Sequence, residues 1–361
     1  MSKILTLVIP TYNMERYLDQ CLTSLIVENL ELRNQIEVLI INDGSKDRSS
    51  EIAHSYQEKY PNLFRVVDKE NGNYGSCVNR GLKEAEGKYI KILDADDSFD
   101  TIEFERYLKK LERSNVDLIL TPFYYVNENR KRLNRVKYDL KENEVLSFDQ
   151  VTPALLKQSI QMHAVTYKTS CVRSINYKQT EGISYTDQEW VFTPLSAVNS
   201  IVYFNTPVYL YLWGRAGQTM SGENVKKCML HNVLCAKKIL TDYINFPSFD
   251  EAKQKIIDYK AMRTLEGPYF SYLVRFPELD RKELIAYENF LNELNPGFLE
   301  KADSFVLKGT SFHYIREWRK NKNFTVPKYI LKWSFLLTRI AGKMNRIIQN
   351  LPSLCHFSKI N

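Results

Sequence analysis

No Asp or Glu occurs after Glu317, no apolar stretch is long enough to span a membrane, and the six cysteines show no paired metal-ligand spacing. Each absence excludes something. A spanning helix needs roughly 20 apolar residues, and none are found in one run. Cys21, Cys77, Cys171, Cys228, Cys235 and Cys355 are scattered, and the spacing of Cys228 and Cys235 fits a buried helix face better than a zinc pair. With no signal peptide ahead of Ile4, the thiols are expected to be reduced and the protein cytoplasmic. Internal repeats and low-complexity segments are also missing. The acid-free tail carries nine cations, more than the whole net charge of +7, so the remainder is slightly acidic. Such asymmetry points to an anionic partner surface, either membrane or nucleic acid. What is present is ordinary: 361 residues, 44% hydrophobic and 26% charged, enough for a main domain with an appendage.

Read in order, the chain alternates strand and helix. Leu5 to Pro10 is an apolar strand closed by Pro10-Thr11-Tyr12-Asn13, and Glu15 to Val27 places Tyr17, Leu18, Cys21, Leu22 and Leu25 at helical spacing. Glu37 to Ile41 is a second strand, ending in Asn42-Asp43-Gly44-Ser45, with a helix from Lys46 to Tyr60. Ser45 or Asp47 is its expected N-cap. Phe64 to Val67 is a third strand and Gly75 to Glu86 a third helix. The strand Tyr89 to Leu93, a helix from Ile102 to Ser114 and the strand Asp117 to Leu120 follow. This alternation implies βαβ units and a largely parallel sheet. Right-handed crossovers then bring the strand ends at Tyr12, Asp43 and Asp94 to one rim. Residues 123–147 are polar and irregular, and strands are expected at Ile201 to Phe204 and Val208 to Trp213. Helical patterns run on from Glu223, so the domain boundary is placed near Gly222, giving domains 1–222 and 223–361.

The chemistry concentrates where the fourth strand ends, in Asp94-Ala95-Asp96-Asp97. Ligands of open α/β sheets bind beyond the carboxyl ends of strands. Three acids this close raise one another's pKa unless a cation neutralises them. Carboxylates suit Mg²⁺ or Mn²⁺, so the pattern reads as a metal site holding a diphosphate, or else as a solvated acidic turn. Asn71-Gly72-Asn73-Tyr74-Gly75 contains glycines that permit close backbone approach, but no Gly-x-Gly-x-x-Gly, so the dehydrogenase fingerprint is absent.

Together and in this order, Val8-Ile-Pro-Thr-Tyr-Asn13, Ile40-Ile-Asn-Asp-Gly-Ser45, Asn71 to Gly75 with Asn79 and Gly81, and Gly87 to Asp97 resemble the family 2 glycosyltransferases, inverting enzymes of the GT-A fold. The resemblance covers about the first hundred residues closely, loosens after about residue 120, and hardly reaches the helical tail. It implies a nucleotide-sugar donor, with Pro10, Tyr12, Asp43, Asn71, Gly72, Asp94, Ala95 and Arg215 around it. Asp43 would hydrogen-bond the base beside Tyr12, whose ring offers a stacking face. Asp96 would ligate Mn²⁺ or Mg²⁺, and Asp94 would contact ribose or metal-bound water. Asn42 departs from the Asp that many relatives carry. Val78 stands where many have Arg, which puts a donor-phosphate contact from this helix in doubt.

Inversion needs a carboxylate to deprotonate the acceptor hydroxyl. By resemblance it is Asp187, in Tyr185-Thr186-Asp187-Gln188-Glu189-Trp190, with Thr186 replacing the usual Glu. Asp187 as a plain N-cap, and Glu189 as the base, remain alternatives. Trp213 to Met220 resembles a loop closing over the diphosphate, with Arg215 as its phosphate fork. His163 falls near the acceptor side or is structural. In the tail, Lys328, Lys332, Arg339, Lys343 and Arg346 share one helical face; Ile330, Trp333, Leu337, Ile340, Met344 and Ile348 share the other. That pattern reads as an interfacial membrane helix, or as a helix packing its apolar face on the protein itself. The aromatics oppose the cations, which argues against nucleic acid. The expectation is an α/β GT-A domain, Rossmann-like with a mostly parallel sheet, followed by a helical C-terminal region. Its reaction would be metal-dependent inverting transfer from a nucleotide sugar, with UDP as the expected carrier, to a glycan or polyprenyl-diphosphate-linked acceptor at the inner face of the cell membrane, in cell-surface polysaccharide synthesis. The rivals are a sugar-nucleotide nucleotidyltransferase, for which Pro10 to Asn13 lacks the Gly-rich basic loop, and an inactive membrane-associated nucleotide-sugar binder.

Overall fold

The computed structural model describes residues 3–215 and 222–350. It contains two compact units, dividing between Ala261 and Met262.

The first unit is built on strands that read as continuous apolar runs because both of their faces are covered. In order they are β1 (Leu5–Thr11), β2 (Ile36–Asn42), β3 (Phe64–Asp68), β4 (Tyr89–Ile92), β5 (Ser98–Phe99), β6 (Leu118–Leu120), β7 (Phe123–Val126), β8 (Arg132–Val136), β9 (Val145–Leu146), β10 (Val165–Lys168), β11 (Ile201–Tyr203) and β12 (Tyr209–Leu212). Eight form one sheet in the order β3-β2-β1-β4-β10-β6-β11-β9. β1 is parallel to both β2 and β4, with Val8 opposite Leu39 on one side and Ile92 on the other. β2–β3 and β6–β11 are also parallel, while β10 runs antiparallel between β4 and β6. Strand order reverses beside β1, so a crevice opens beyond the carboxyl ends of β1 and β4. The expected helices are present as Glu15–Thr23, Ser49–Lys59, Asn73–Glu84 and Thr101–Arg113, the last capped by Asp100.

A second sheet, β5-β12-β7-β8, holds the strand expected at residues 208–213. Its β7–β8 hairpin lies in the stretch that read as irregular. β8 is mostly exposed and polar, and Arg132 stacks over the Tyr124 ring at 4.5 Å instead of contributing an apolar face.

The division at Ala261 lies beyond the change of composition near Gly222. Helix Met229–Asn245 and the start of helix Glu251–Phe270 belong to the first unit through specific contacts. Cys235 Sγ lies 3.4 Å from Tyr185 O, and the buried Lys253 ammonium donates to Ser196 O and Val198 O at 2.8 Å each.

The second unit packs helices Lys282–Leu294, Gly297–Ser304 and Tyr314–Lys320 around Tyr269, Tyr287 and Trp318, whose rings meet edge to face. Its last helix, Lys328–Asn350, is seated by a narrow seam in which Ser334 Oγ donates to Lys308 O at 2.6 Å and Leu331 and Thr338 are half-buried. Trp333, expected on the buried or membrane face, lies off this seam, as do Tyr329, Phe335 and Leu336. The side chains of Ile340, Lys343, Met344, Arg346 and Ile348 lie outside the described residues. Among the described residues no helix is long and apolar enough to cross a membrane.

Candidate active site

The crevice at the β1/β4 switch point holds a cavity of about 280 Å³. Pro10, Tyr12, Asp43, Asn71, Asp94, Ala95, Asp96, Asp187 and Arg215, all expected at the site, line it. Gly72 and Glu189 do not line it.

Each side chain arrives for a local reason. β1 ends at Thr11, so Tyr12 emerges at the rim with its ring exposed. β2 ends one residue before Asp43, whose carboxylate is buried and accepts the Gly72 N–H at 2.9 Å. The same carboxylate is ion-paired to Lys69, which also donates to Ser76 Oγ at 2.9 Å. Gly72 therefore serves by its backbone, shaping the pocket from behind. Asn71 donates to Asp43 O at 3.0 Å. Asn42 donates to Asp68 Oδ1 at 2.6 Å and accepts the Ser45 N–H at 3.2 Å. Its departure from Asp thus leaves a neutral amide against the neighbouring strand's carboxylate. The following helix begins at Ser49 with Arg48 at its N-cap, so neither Ser45 nor Asp47 caps it; Asp47, one residue ahead, still accepts the Ser49 N–H at 3.0 Å.

The acidic loop divides its three carboxylates among three settings. Asp94 accepts the Tyr74 hydroxyl at 2.8 Å; burial, with Asp96 beside it, pushes its carboxyl up to about 7. Asp96 is ion-paired to Arg215, whose guanidinium also lies 5.3 Å from the Tyr17 ring centroid. Asp97 is fully buried and ties the loop to β12, accepting from Tyr209 Oη and Leu212 N at 2.6 Å each. Asp94, Asp97 and His163 bring possible ligand atoms within 4.8 Å of one another. The residues fit a divalent cation: the donors are hard carboxylate oxygens, burial beside Asp96 raises the Asp94 pKa, a penalty that a bound cation would relieve, and a guanidinium takes the cationic role beside Asp96.

The cavity floor depends on a residue that interrupts an apolar strand. β10 pairs with β4 only through Tyr167 and Lys168, then diverges. Lys91 bridges the gap, donating to His163 O at 2.8 Å and Val165 O at 3.0 Å from a fully buried position. Burial, with no acidic partner among the described residues, lowers its pKa to about 7. His163 above it packs among Phe123, Tyr209 and Tyr211, and burial together with Lys91 holds its imidazole neutral, with a pKa of about 3.

Asp187 opens the short helix Asp187–Trp190, after Tyr185 in the left-handed region at φ 67°. Left-handed dihedrals are uncommon for a bulky residue, and here one aims the chain into the cavity wall. Burial pushes the Asp187 carboxyl up to about 6, partly offset by the N–H groups of Asp187 and Gln188. Glu189 points into the interior instead: it is fully buried and accepts the Thr180 N–H at 2.8 Å. Asn79 makes backbone contacts with Gln179. Sequence reasoning missed Lys69, Tyr74 and Tyr211. Lys69 follows the end of β3, where a parallel strand should deliver a rim residue, so that signal was available.

The chain matches the Glycosyl transferase family 2 model over residues 6–174. It is 30% identical over 233 residues to the uncharacterized glycosyltransferase MG025 of Mycoplasma genitalium, covering 62% of this chain and 73% of that relative. It is 32% identical over 155 residues to the uncharacterized glycosyltransferase EpsJ of Bacillus subtilis, a match spanning 43% of each protein and so less than half of EpsJ. In fold it is similar to S. aureus TarS 1–349 in complex with UDP-GlcNAc, at a TM-score of 0.63 and 20% identity over 87% of each chain. The chain belongs to glycosyl transferase family 2, and it is a glycosyltransferase.

Proposed function

We propose that the enzyme transfers a sugar, with inversion, from a UDP-sugar to a lipid-linked glycan in cell-surface polysaccharide assembly. The observation carrying this is that one cavity is lined both by the acidic pair Asp94/Asp96, beside Arg215, and by the half-buried carboxyl of Asp187. The UDP-GlcNAc complex of TarS, which shares the fold, supports the choice of donor.

In this reading Asp43 accepts the N3–H of uracil, Lys69 holds that carboxylate in place, and the exposed Tyr12 ring stacks on the base. Asp187 takes the proton of the acceptor hydroxyl as its oxygen bonds to the anomeric carbon and the bond to the diphosphate breaks. A base with a pKa of about 6 is stronger than an ordinary carboxylate and still ionised at neutral pH. Arg215 meets the departing diphosphate. A bound Mn²⁺ or Mg²⁺, held by Asp96 and Asp94, would supply Lewis-acid neutralisation of the leaving group.

The lipid-linked acceptor rests on the C-terminal helix. Off its seam, Tyr329, Trp333, Phe335 and Leu336 are 66%, 58%, 67% and 49% exposed, beside Lys328, Lys332 and Arg339. Exposed aromatics flanked by cations suit the headgroup region of an anionic bilayer, and they would place the enzyme at the inner membrane face.

The test is Asp187→Asn. Transfer should fall by several orders of magnitude while UDP and Mn²⁺ still bind, because deprotonation belongs to the transition state. In the unaltered enzyme kcat should fall about tenfold per pH unit below about 6, where Asp187 becomes protonated and inactive as a base. An active Asp187→Asn with an inactive Glu189→Gln would transfer the role to Glu189.

A further inference from the structure

Asn79 makes contacts that packing of its own helix does not require. Its carboxamide pairs with the main chain of one residue in a distant segment: Nδ2 donates to Gln179 O at 2.8 Å and Oδ1 accepts the Gln179 N–H at 2.8 Å. Nδ2 also reaches Glu181 Oε1 at 2.8 Å. One turn earlier, Gly75 touches the same segment so closely that a Cβ there would lie 1.9 Å from Thr180 O. At the head of the helix, Gly182 N–H donates to Gly72 O at 2.9 Å. The donor-side helix and the segment at residues 179–182 are therefore joined at three successive points.

The same segment is joined on its other side to the residues flanking Asp187. Gln179 Nε2 donates to Thr186 Oγ1 at 2.9 Å, while Gln179 Oε1 accepts the Tyr177 hydroxyl at 3.0 Å. Thr180 N–H donates to Glu189. Gln179, Thr186 and Glu189 are all fully buried. Asp187 itself belongs to a helix of only four residues, too short to hold its own orientation.

We infer that Asn79 is a positioning residue for Asp187, acting through Gln179 to hold the loop that carries the base against the helix that lines the donor pocket. The inference rests on the reading of Asp187 as the base. Gly72 shares in it from the donor side, since its N–H binds the Asp43 carboxylate while its carbonyl holds Gly182. The arrangement ties the nucleotide pocket and the base to one rigid helix, so a donor seated correctly finds the base already at its working distance. Misplacing a reacting group by about 1 Å costs on the order of 100-fold in rate.

The experiment compares Asn79→Ala and Gln179→Ala with the unaltered enzyme. Calorimetric titration of UDP in the presence of Mn²⁺ should give affinities within about twofold for both, whereas kcat should fall about 10- to 100-fold. The acid limb of the kcat–pH profile should move down, as Asp187 leaves its enclosed setting for a more solvated one. Because the Asn79–Gln179 main-chain contact and the Gln179–Thr186 side-chain contact lie in series, breaking either uncouples the loop, and the double variant should lose little more than the worse single. A folded Asn79→Ala or Gln179→Ala with unchanged kcat and pH profile overturns the inference. So does a fall in UDP affinity that accounts for the whole loss of rate. If Asp187→Asn is inactive while these variants behave as the parent, only the positioning role fails. If Asp187→Asn is active, the assignment of the base fails first.

Discussion

Replacing Lys91 by methionine should change how stability depends on pH more than it changes stability at neutrality. The lysine is fully buried, its hydrogen-bond partners among the described residues are the carbonyls of His163 and Val165, and its pKa is lowered from 10.5 to about 7. Between pH 7 and 10.5 the unfolded chain holds this proton and the folded chain has released it, so folding sheds a proton and stability rises with pH. At pH 7 the cost of that release is about 4 kcal/mol, and by pH 9 it has fallen to about 2 kcal/mol. Methionine removes the cost but leaves two buried carbonyls without donors, at about 1–3 kcal/mol each. The two effects roughly cancel at pH 7. At pH 9 the variant should lag the parent by about 2 kcal/mol more than it does at pH 7. Urea unfolding of the two proteins at both pH values measures this double difference, from which other titrating groups cancel. Parallel pH dependences would show that Lys91 stays protonated in the fold, held as a cation by its carbonyls and by the Tyr209 ring at 5.5 Å.

Asp96→Asn should abolish Mn²⁺-dependent binding of UDP while leaving the melting temperature close to the parent's, since the Asp96 partner Arg215 lies in the same open cavity; undiminished binding by calorimetry would remove Asp96 from the metal site. The intact protein should co-sediment with anionic vesicles at low salt and release as salt rises, each cation near the surface contributing about 1 kcal/mol. Trp333→Glu with Leu336→Glu should abolish sedimentation without unfolding, because both side chains lie off the seam; no sedimentation of the parent at low salt would sink the membrane reading.

How much of this was legible depended on the environment of each strand. β1, β2 and β4 are buried on both faces, so their apolar runs and the polar clusters that end them were visible, and with them the rim bearing Tyr12, Asp43 and Asp94. The β7–β8 hairpin was not legible, because an exposed edge strand such as Arg132–Val136 carries no apolar pattern. Antiparallel insertion of β10 was hidden too, since three or four apolar residues do not encode direction. Asp187 and Glu189 could not be separated from their spacing alone. Two positions apart on a helix they face nearly opposite ways, so one had to be turned inward, and only the packing around Thr180 shows which. The boundary near Gly222 followed composition, whereas Cys235 and Lys253 bind the next helices to the first unit through contacts that composition does not reveal.

The hydrogen bond between Asn42 and Asp68 also couples two positions on neighbouring strands. An aspartate at position 42 would set two carboxylates face to face beside the strand end that bears Asp43, where each would raise the other's pKa. His54 and Ser50 also bind Asp68, so that carboxylate has partners of its own and is not readily given up. Asn42→Asp is therefore disfavoured while Asp68 is present, and replacement of Asp68 leaves the Asn42 amide without this acceptor. The two positions are best changed together, and a chimaera joining a second strand that carries Asp at 42 to this chain's third strand would inherit the conflict at this seam.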